Sequence, residues 1–149
     1  MAVPHPEREL ERLRSRLKQP LAPVTLITGA SAFFRGEAFA LVLAAVPAGR
    51  DVRTLDGQNA SDGTELHGLR GASLFGGGSW LIVRRAEGWL AERGEGLLPV
   101  LAAIGRGCGL IVEAQKLDKR TKVGKALAAH DSYEFRELYD SPFDRSKSP

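Results

Sequence analysis

Several features that mark secreted, membrane-spanning and metal-binding proteins are missing from this chain of 149 residues. Its one cysteine, Cys108, cannot form a disulfide within the chain, which fits a reducing compartment. No apolar run is long enough to span a bilayer, and the first residues show no signal-peptide pattern. His5, His67 and His130 are too far apart in sequence to form a zinc-ligand pattern with one cysteine. We therefore expect a cytoplasmic protein with no metal site, no cofactor and no membrane association.

Short apolar runs alternate with amphipathic segments along the chain. The run from Val24 to Thr28 is typical of a buried strand, whereas Leu10, Leu13 and Leu17 recur at helical spacing. Apolar strands separated by helices indicate a parallel sheet that is covered on both faces. We predict an α/β fold with a five-stranded, mostly parallel sheet and helices on both faces. The predicted strands are 24–28, 51–55, 80–83, 110–112 and 133–135, and the predicted helices are 7–18, 32–46, 62–69, 87–104 and 119–129.

Three of these predicted helices begin after a residue that can cap them, and a fourth contains residues that break helices. Serine and aspartate side chains accept hydrogen bonds from the free N–H groups of a first helical turn. Glycine and proline destabilise a helix interior. The predicted N-caps are Ser31, Ser61 and Asp118, and the predicted breaks in 87–104 are Gly94, Gly96 and Pro99.

The turn after the first predicted strand is where a sheet of this kind commonly binds a nucleotide. A phosphate-binding loop would follow Gly29 with a second glycine, a lysine and a hydroxyl residue at fixed spacing. Here those positions hold Phe34, Arg35 and Gly36. Ser31 and Phe34 also replace glycines of the dinucleotide-binding pattern, and the nucleophile pattern Gly-x-Ser-x-Gly is absent. We predict no ATP hydrolysis and no catalytic residues, with Gly29 serving only a tight turn.

A basic segment with one acid, Asp118, follows the fourth predicted strand. This segment forms the start of the predicted helix 119–129, so its cations would be repelled by the positive end of the helix dipole. The unfavourable placement indicates an external anion, such as a DNA phosphate, as their partner. A solvated basic face accounts for the same pattern, so both interpretations stay open. The cations are Lys116, Lys119, Arg120, Lys122 and Lys125.

Two large apolar residues, Leu74 and Phe75, stand immediately before three glycines. Adjacent residues do not face the same side of a helix or a strand, so the pair cannot join one buried stripe. Either an irregular turn buries both side chains in the core, or the pair projects and is buried in the pocket of a partner. Composition favours the core, because most large apolar residues are buried.

Three segments, 73–77, 116–122 and 138–143, carry a family likeness through their sequences, order and spacing. They contain Ser-Leu-Phe-Gly-Gly ahead of a strand ending in arginine, then Lys-Leu-Asp-Lys-Arg-Thr-Lys, then Leu-Tyr-Asp-Ser-Pro-Phe. Pro23 and Val24 at the entry to the first strand also fit. Over roughly Leu21 to Phe143, the chain resembles the N-terminal part of the delta subunit of bacterial DNA polymerase III, a clamp-loader subunit.

The resemblance implies an AAA+-like domain that has lost ATP binding, which agrees with the turn at Gly29. It implies a non-catalytic subunit that binds the sliding clamp and helps to open it for loading on primed DNA during replication. In that family a leucine-phenylalanine pair enters a hydrophobic pocket of the clamp, and Ser73, Leu74 and Phe75 match that region. The resemblance therefore favours the exposed pair over the buried one.

The resemblance also implies partners and a domain plan. The partners are the sliding clamp (beta subunit), the gamma/tau and delta prime subunits of the loader, and primer-template DNA through the complex. We expect 1–20 to be a helix within the domain, 21–140 to be the AAA+-like domain, and 141–149 to start a linker toward further domains. The chain departs from the family at Ala30 and Ser31, where an acidic residue is usual. The alternative is a nucleic-acid-binding α/β module that acts through 116–125.

Overall fold

A computed structural model describes residues 3–59, 61–70 and 78–138. The helices are α1 (Pro6–Arg16), α2 (Ala32–Ala44), α3 (Glu87–Ala102) and α4 (Lys122–Ala128), and a 3-10 helix covers Thr64–Arg70. The strands are β1 (Val24–Thr28), β2 (Asp51–Asp56), β3 (Ser79–Arg84), β4 (Gly109–Glu113) and β5 (Asp131–Glu134).

The strands β1 to β5 form one sheet in the order β2-β3-β4-β1-β5, and every neighbouring pair is parallel. Strand β1 lies between β4 and β5, so that Leu26 is opposite both Val112 and Ser132. Parallel neighbours need crossover connections, which place helices on the faces of the sheet. The predicted α/β class with five strands is therefore confirmed, and the sheet is parallel throughout.

Each face of the sheet has its own apolar core. Helices α1 and α2 pack on one face, and the 3-10 helix, α3 and α4 pack on the other. Strand residues alternate between the two cores, so Leu81 and Val83 join the core of α3 whereas Trp80 and Ile82 join that of α2. Strands β1 and β4 are buried along their whole length, which explains their nearly continuous apolar sequences.

The predicted break in the third helix is wrong, because α3 continues through Gly94, Gly96 and Pro99. At Gly94 a Cβ atom would lie 3.0 Å from the Val123 side chain, so the glycine lets α4 approach α3 closely. Leu97, which lies between Gly94 and Pro99 in the sequence, is fully buried in the core. Burial of this face stabilises the helix by more than glycine and proline destabilise it, since tertiary packing overrides intrinsic propensity.

The predicted helix 62–69 is instead the 3-10 helix, and Ser61 does not cap it. Asp62 accepts hydrogen bonds from the Thr64 N–H at 3.0 Å and from its hydroxyl at 2.7 Å, which forms a side-chain turn ahead of the helix. The hydroxyl of Ser61 donates to Glu65 at 2.7 Å instead. A local side-chain turn thus replaces the first turn of an α-helix. The last strand also begins earlier than predicted, at Asp131.

Helix α1 covers the outer edge of β5 with charged side chains. The Glu9 carboxylate accepts from the Glu134 N–H at 2.9 Å and from Arg12 at 2.8 Å. Arg12 in turn donates to the Ser132 carbonyl at 2.6 Å and lies 4.2 Å from the ring centre of Tyr133. An edge strand normally exposes unpaired backbone groups, and here two side chains of α1 satisfy the Glu134 N–H and the Ser132 carbonyl.

We predict that Glu9→Ala lowers the free energy of unfolding by about 1–3 kcal/mol, because it leaves the Glu134 N–H without its acceptor. Urea unfolding of the variant and the wild type measures the change. Glu11→Ala is the matched control: Glu11 is on the same helix, its side chain is 69% exposed and it pairs with Arg14. We expect that control to stay within about 0.5 kcal/mol. Equal stability of the two variants would contradict the assigned role of Glu9.

Candidate functional sites

The predicted clamp-binding residues Ser73, Leu74 and Phe75 lie outside the described residues, so their role stays a prediction. The described chain before them ends with the 3-10 helix at Arg70, and it resumes at Gly78, directly ahead of β3. The structure therefore shows the contacts that fix the chain on either side of residues 71–77.

Both attachment points are held by the turn 105–108, which precedes β4. The Gly105 N–H donates to the Leu69 carbonyl at 2.7 Å, which fixes the end of the 3-10 helix. The buried Cys108 sulfur accepts from the Ser79 N–H at 3.4 Å and lies 3.5 Å from the Gly68 carbonyl. Cys108 thus connects the 3-10 helix to the first residue of β3, and one turn sets the spacing between the two flanks.

A buried carboxylate also ties the 3-10 helix to α3. Glu65 is 5% exposed, and one of its oxygens accepts from the Trp89 indole N–H at 2.8 Å and from the Ser61 hydroxyl at 2.7 Å. Its other oxygen has no hydrogen-bond partner among the described residues. Burial alone would raise the pKa of Glu65, but the hydrogen bonds from Trp89 and Ser61 outweigh it and hold that pKa below its ordinary value.

Gly29, the first residue of the nucleotide-type turn, is shaped by the segment that leaves β5. It has a φ of +122°, and a Cβ atom there would lie 2.2 Å from the Phe135 carbonyl oxygen. Ser31 caps α2 as predicted, since its hydroxyl accepts from the Phe34 N–H at 3.2 Å. Close packing against Phe135 therefore accounts for the glycine at this turn.

Arg35, at the position of the phosphate-binding lysine, is directed toward the protein's own carboxylate. Its Nε donates to Glu113 at 2.9 Å, and another of its nitrogens donates to the Gly29 carbonyl. The Arg35 side chain is 13% exposed, and the Glu113 side chain is 4% exposed. Arg35 therefore joins the start of α2 to the end of β4 and to the turn at Gly29.

The basic segment lies mostly in a loop, which corrects the predicted helix 119–129. Helix α4 begins at Lys122, and its N-cap is Thr121, whose hydroxyl accepts from the Gly124 N–H at 3.0 Å. Asp118 therefore does not cap the helix. A Cβ atom at Gly124 would lie 2.1 Å from the Asp118 carbonyl oxygen, so the preceding loop folds back over this position. Lys116, Lys119 and Arg120 therefore lie before the helix, and the expected repulsion by the helix dipole does not apply to them.

Two cations of the basic segment are paired with acids. Arg120 bonds to Asp118 at 3.1 Å, and this contact, with the Arg120 N–H, lowers the pKa of Asp118. Lys119 bonds to Glu134 at 3.2 Å. Both pairs are exposed, so each contributes little to stability.

Lys116 and Lys119 come together at the carboxyl ends of β1, β4 and β5. They line a cleft of about 250 Å³ with Gly29 and Arg136. Arg136 was missed in the sequence because its proximity depends on the position of β5 beside β1. Lys122 and Lys125 are exposed on α4 and do not line this cleft.

Within the ranges described above, none of the helices is both long and apolar enough to traverse a membrane. The same ranges contain no group of three or more histidine, cysteine, aspartate or glutamate side chains placed to hold a metal ion. Two buried carboxylates, those of Glu9 and Glu113, form ion pairs with Arg12 and Arg35, respectively.

We predict that Glu65→Gln is destabilising near pH 7 and loses its effect in acid. Because the pKa of folded Glu65 is below its ordinary value, its stabilising contribution is present above the unfolded pKa and disappears as pH falls through the folded pKa. The difference in unfolding free energy between wild type and variant, measured by urea unfolding at several pH values, should therefore shrink below about pH 4.5. Glu95→Gln, on the exposed face of α3, is the control. A difference that does not change with pH would count against the prediction.

Comparison with known proteins identifies the fold. No family model and no curated protein matches the sequence. Among solved structures, the chain is similar to the Bacillus subtilis DNA clamp loader delta protein, with a TM-score of 0.69 and 17% sequence identity. The match covers 87% of this chain and 43% of that one, so this chain spans less than half the length of its structural neighbour. The likeness shows a shared delta-like α/β fold.

Proposed function

We propose that this chain is a clamp-loader module that binds a sliding clamp and helps to open the ring for loading on primed DNA. The observation that carries the proposal is the structural likeness to a DNA clamp loader delta protein over 87% of this chain. The proposed partners are the clamp, the gamma/tau and delta prime subunits, and primer-template DNA through the assembled complex. The proposed location is the cytoplasm.

The proposed subunit is non-catalytic, and the contacts of Arg35 support this part. A phosphate-binding lysine must reach the terminal phosphates of a nucleotide. The residue in its place instead bonds to Glu113 at 2.9 Å and to the Gly29 carbonyl. Releasing Arg35 would break the shortest ion pair of the buried Glu113 carboxylate, and breaking a buried ion pair costs about 3–5 kcal/mol in other proteins. These bonds keep Arg35 within the protein and favour a structural role for the turn over nucleotide binding.

Leu74 and Phe75 are proposed to enter a hydrophobic pocket of the clamp. Full burial of two such side chains could contribute about 3–6 kcal/mol before ordering costs. Preorganisation reduces those costs, and the flanks of the segment are held by Gly105 and Cys108. The rest of the chain would then act as a rigid support for a small apolar anchor.

We expect the double variant Leu74→Ala, Phe75→Ala to weaken clamp binding by about 100-fold or more, given the apolar area lost. Surface plasmon resonance with the cognate clamp measures the affinity, and thermal unfolding checks the fold. The control Leu43→Ala, Val52→Ala removes two apolar side chains that are 42% and 45% exposed, respectively. It should bind as the wild type does. Unchanged affinity in the first double variant would refute the proposed anchor.

Direct DNA contact through the basic segment is the second candidate function. It is favoured by the cleft that gathers Lys116, Lys119 and Arg136 at the carboxyl edge of the sheet. Clustered cations of this kind bind the DNA backbone without sequence specificity. This function is compatible with the first, because a clamp loader works beside primer-template DNA.

The double variant Lys119→Glu, Arg120→Glu should weaken binding to a primer-template duplex, and wild-type affinity should fall as salt rises. Each lost phosphate contact should reduce the slope of log K against log salt by about 0.9. Fluorescence anisotropy over a range of salt concentrations measures both effects. Arg14→Glu with Lys18→Glu reverses the same charge on exposed positions near α1 and is the matched control. A flat salt dependence of the wild type would exclude this function.

A further inference from the structure

A second charged cleft lies outside the carboxyl ends of β2, β3 and β4, apart from the basic cleft at Gly29. Its volume is about 390 Å³. Ligands of parallel α/β sheets commonly bind beyond this edge of the strands. Its charged lining consists of Arg35, Arg84, Arg85, Asp56 and Glu113.

The two acids of this cleft are already satisfied. Glu113 accepts from the Nε of Arg35 at 2.9 Å and from the backbone N–H of Arg85 at 3.1 Å. Asp56 accepts from the Gln58 N–H at 2.9 Å and pairs with the guanidinium of Arg85. Three positive charges therefore face two negative ones, and the hydrogen-bonded ion pairs of the two acids are those with Arg35 and Arg85.

Arg84 is the least engaged of the three cations, because its ion pair with Glu113 is long. Its guanidinium carbon lies 4.3 Å from the ring centre of Phe39, which holds the side chain across the face of the ring. Its Nε is 3.6 Å from Glu113, beyond hydrogen-bond distance, and its side chain is 46% exposed. Among the described residues the Arg84 guanidinium donates no hydrogen bond. Its planar set of N–H groups is therefore oriented, charged and open to solvent.

The backbone at the end of β3 is strained in a way that shapes the same cleft. Arg85 has a φ of +52°, in the left-handed region that residues with side chains rarely adopt. This conformation accompanies the bond from its N–H to Glu113 and the pairing of its guanidinium with Asp56. Strained residues of this kind cluster at functional sites, so the strain supports a binding role for this cleft.

We propose that this cleft binds a phosphate-type oxyanion, with Arg84 as the principal contact and Arg85 as a secondary one. A guanidinium matches a tetrahedral oxyanion through paired N–H donors, which a lysine does not reproduce. Asp56 and Glu113 are both engaged, so the site has no free carboxylate for a divalent cation and binding does not require magnesium. The oxyanion belongs to inorganic phosphate, to a nucleotide or to a nucleic-acid backbone. This proposal is independent of clamp binding.

The test titrates the full chain with inorganic phosphate at constant ionic strength, by NMR chemical shifts or calorimetry. Arg84→Ala should weaken binding about tenfold or more, because it removes the main charge-assisted contact. Glu113 keeps Arg35 and the Arg85 N–H in that variant, so the fold should survive, and thermal unfolding checks it. Arg84→Lys should be intermediate, whereas the exposed control Arg14→Ala should stay within about twofold. Equal binding by Arg84→Ala and wild type, or no binding by wild type, would overturn the proposal.

Further arms of the same experiment distinguish the source of the oxyanion. ATP and a short DNA duplex are titrated with magnesium and with a chelator, in wild type and in Arg84→Ala. Tighter binding of ATP than of phosphate, lost in Arg84→Ala, assigns the site to a nucleotide. Competition between the duplex and phosphate assigns it to a nucleic-acid backbone, and phosphate binding alone assigns it to the free ion. Binding that disappears with the chelator would overturn the metal-independent site.

Discussion

The buried ion pair between Arg35 and Glu113 holds the carboxyl edge of the sheet together. Glu113 ends the fully buried strand β4 and is almost inaccessible to solvent, so it needs a cationic partner. Arg35 supplies that partner from the first turn of α2 and also bonds to the Gly29 carbonyl. The Arg85 N–H binds the other oxygen of Glu113. One carboxylate thus positions the turn after β1, the start of α2 and the end of β3.

The two ends of the sheet have different properties because different groups converge on them. At the amino ends of β3 and β4, the turn 105–108 uses backbone groups and the Cys108 sulfur to fix the flanks of the predicted clamp-binding segment. At the carboxyl ends, charged side chains dominate, and they divide into an arginine cleft beside β3 and a lysine-rich cleft beside Gly29. A rigid parallel sheet separates the proposed protein-binding end from the proposed anion-binding end.

The elements with strong local patterns could be predicted from the sequence. Strand β1 matches its predicted bounds because a short run rich in β-branched residues lies between Pro23 and Gly29, and Ser31 caps α2 because capping is a local interaction. The errors arise where distant contacts decide. Helix α4 starts late because the loop at Asp118 folds over Gly124, and α3 continues because Gly94 packs against Val123. The pairing of Arg35 with Glu113 spans 78 residues and has no local signature.

The contact between α1 and β5 joins parts of the chain that are made at very different times. Arg12 and Glu9 bond to backbone groups 120 and 125 residues later in the sequence. On a ribosome, the first helix therefore emerges long before the strand whose edge it protects. Because β5 is synthesised long after β1, the edge of β1 that β5 will occupy stays open until residues 131–134 have emerged, and closing so long a loop is slow. During that interval, the open edge of β1 presents unpaired backbone groups with which another chain can pair.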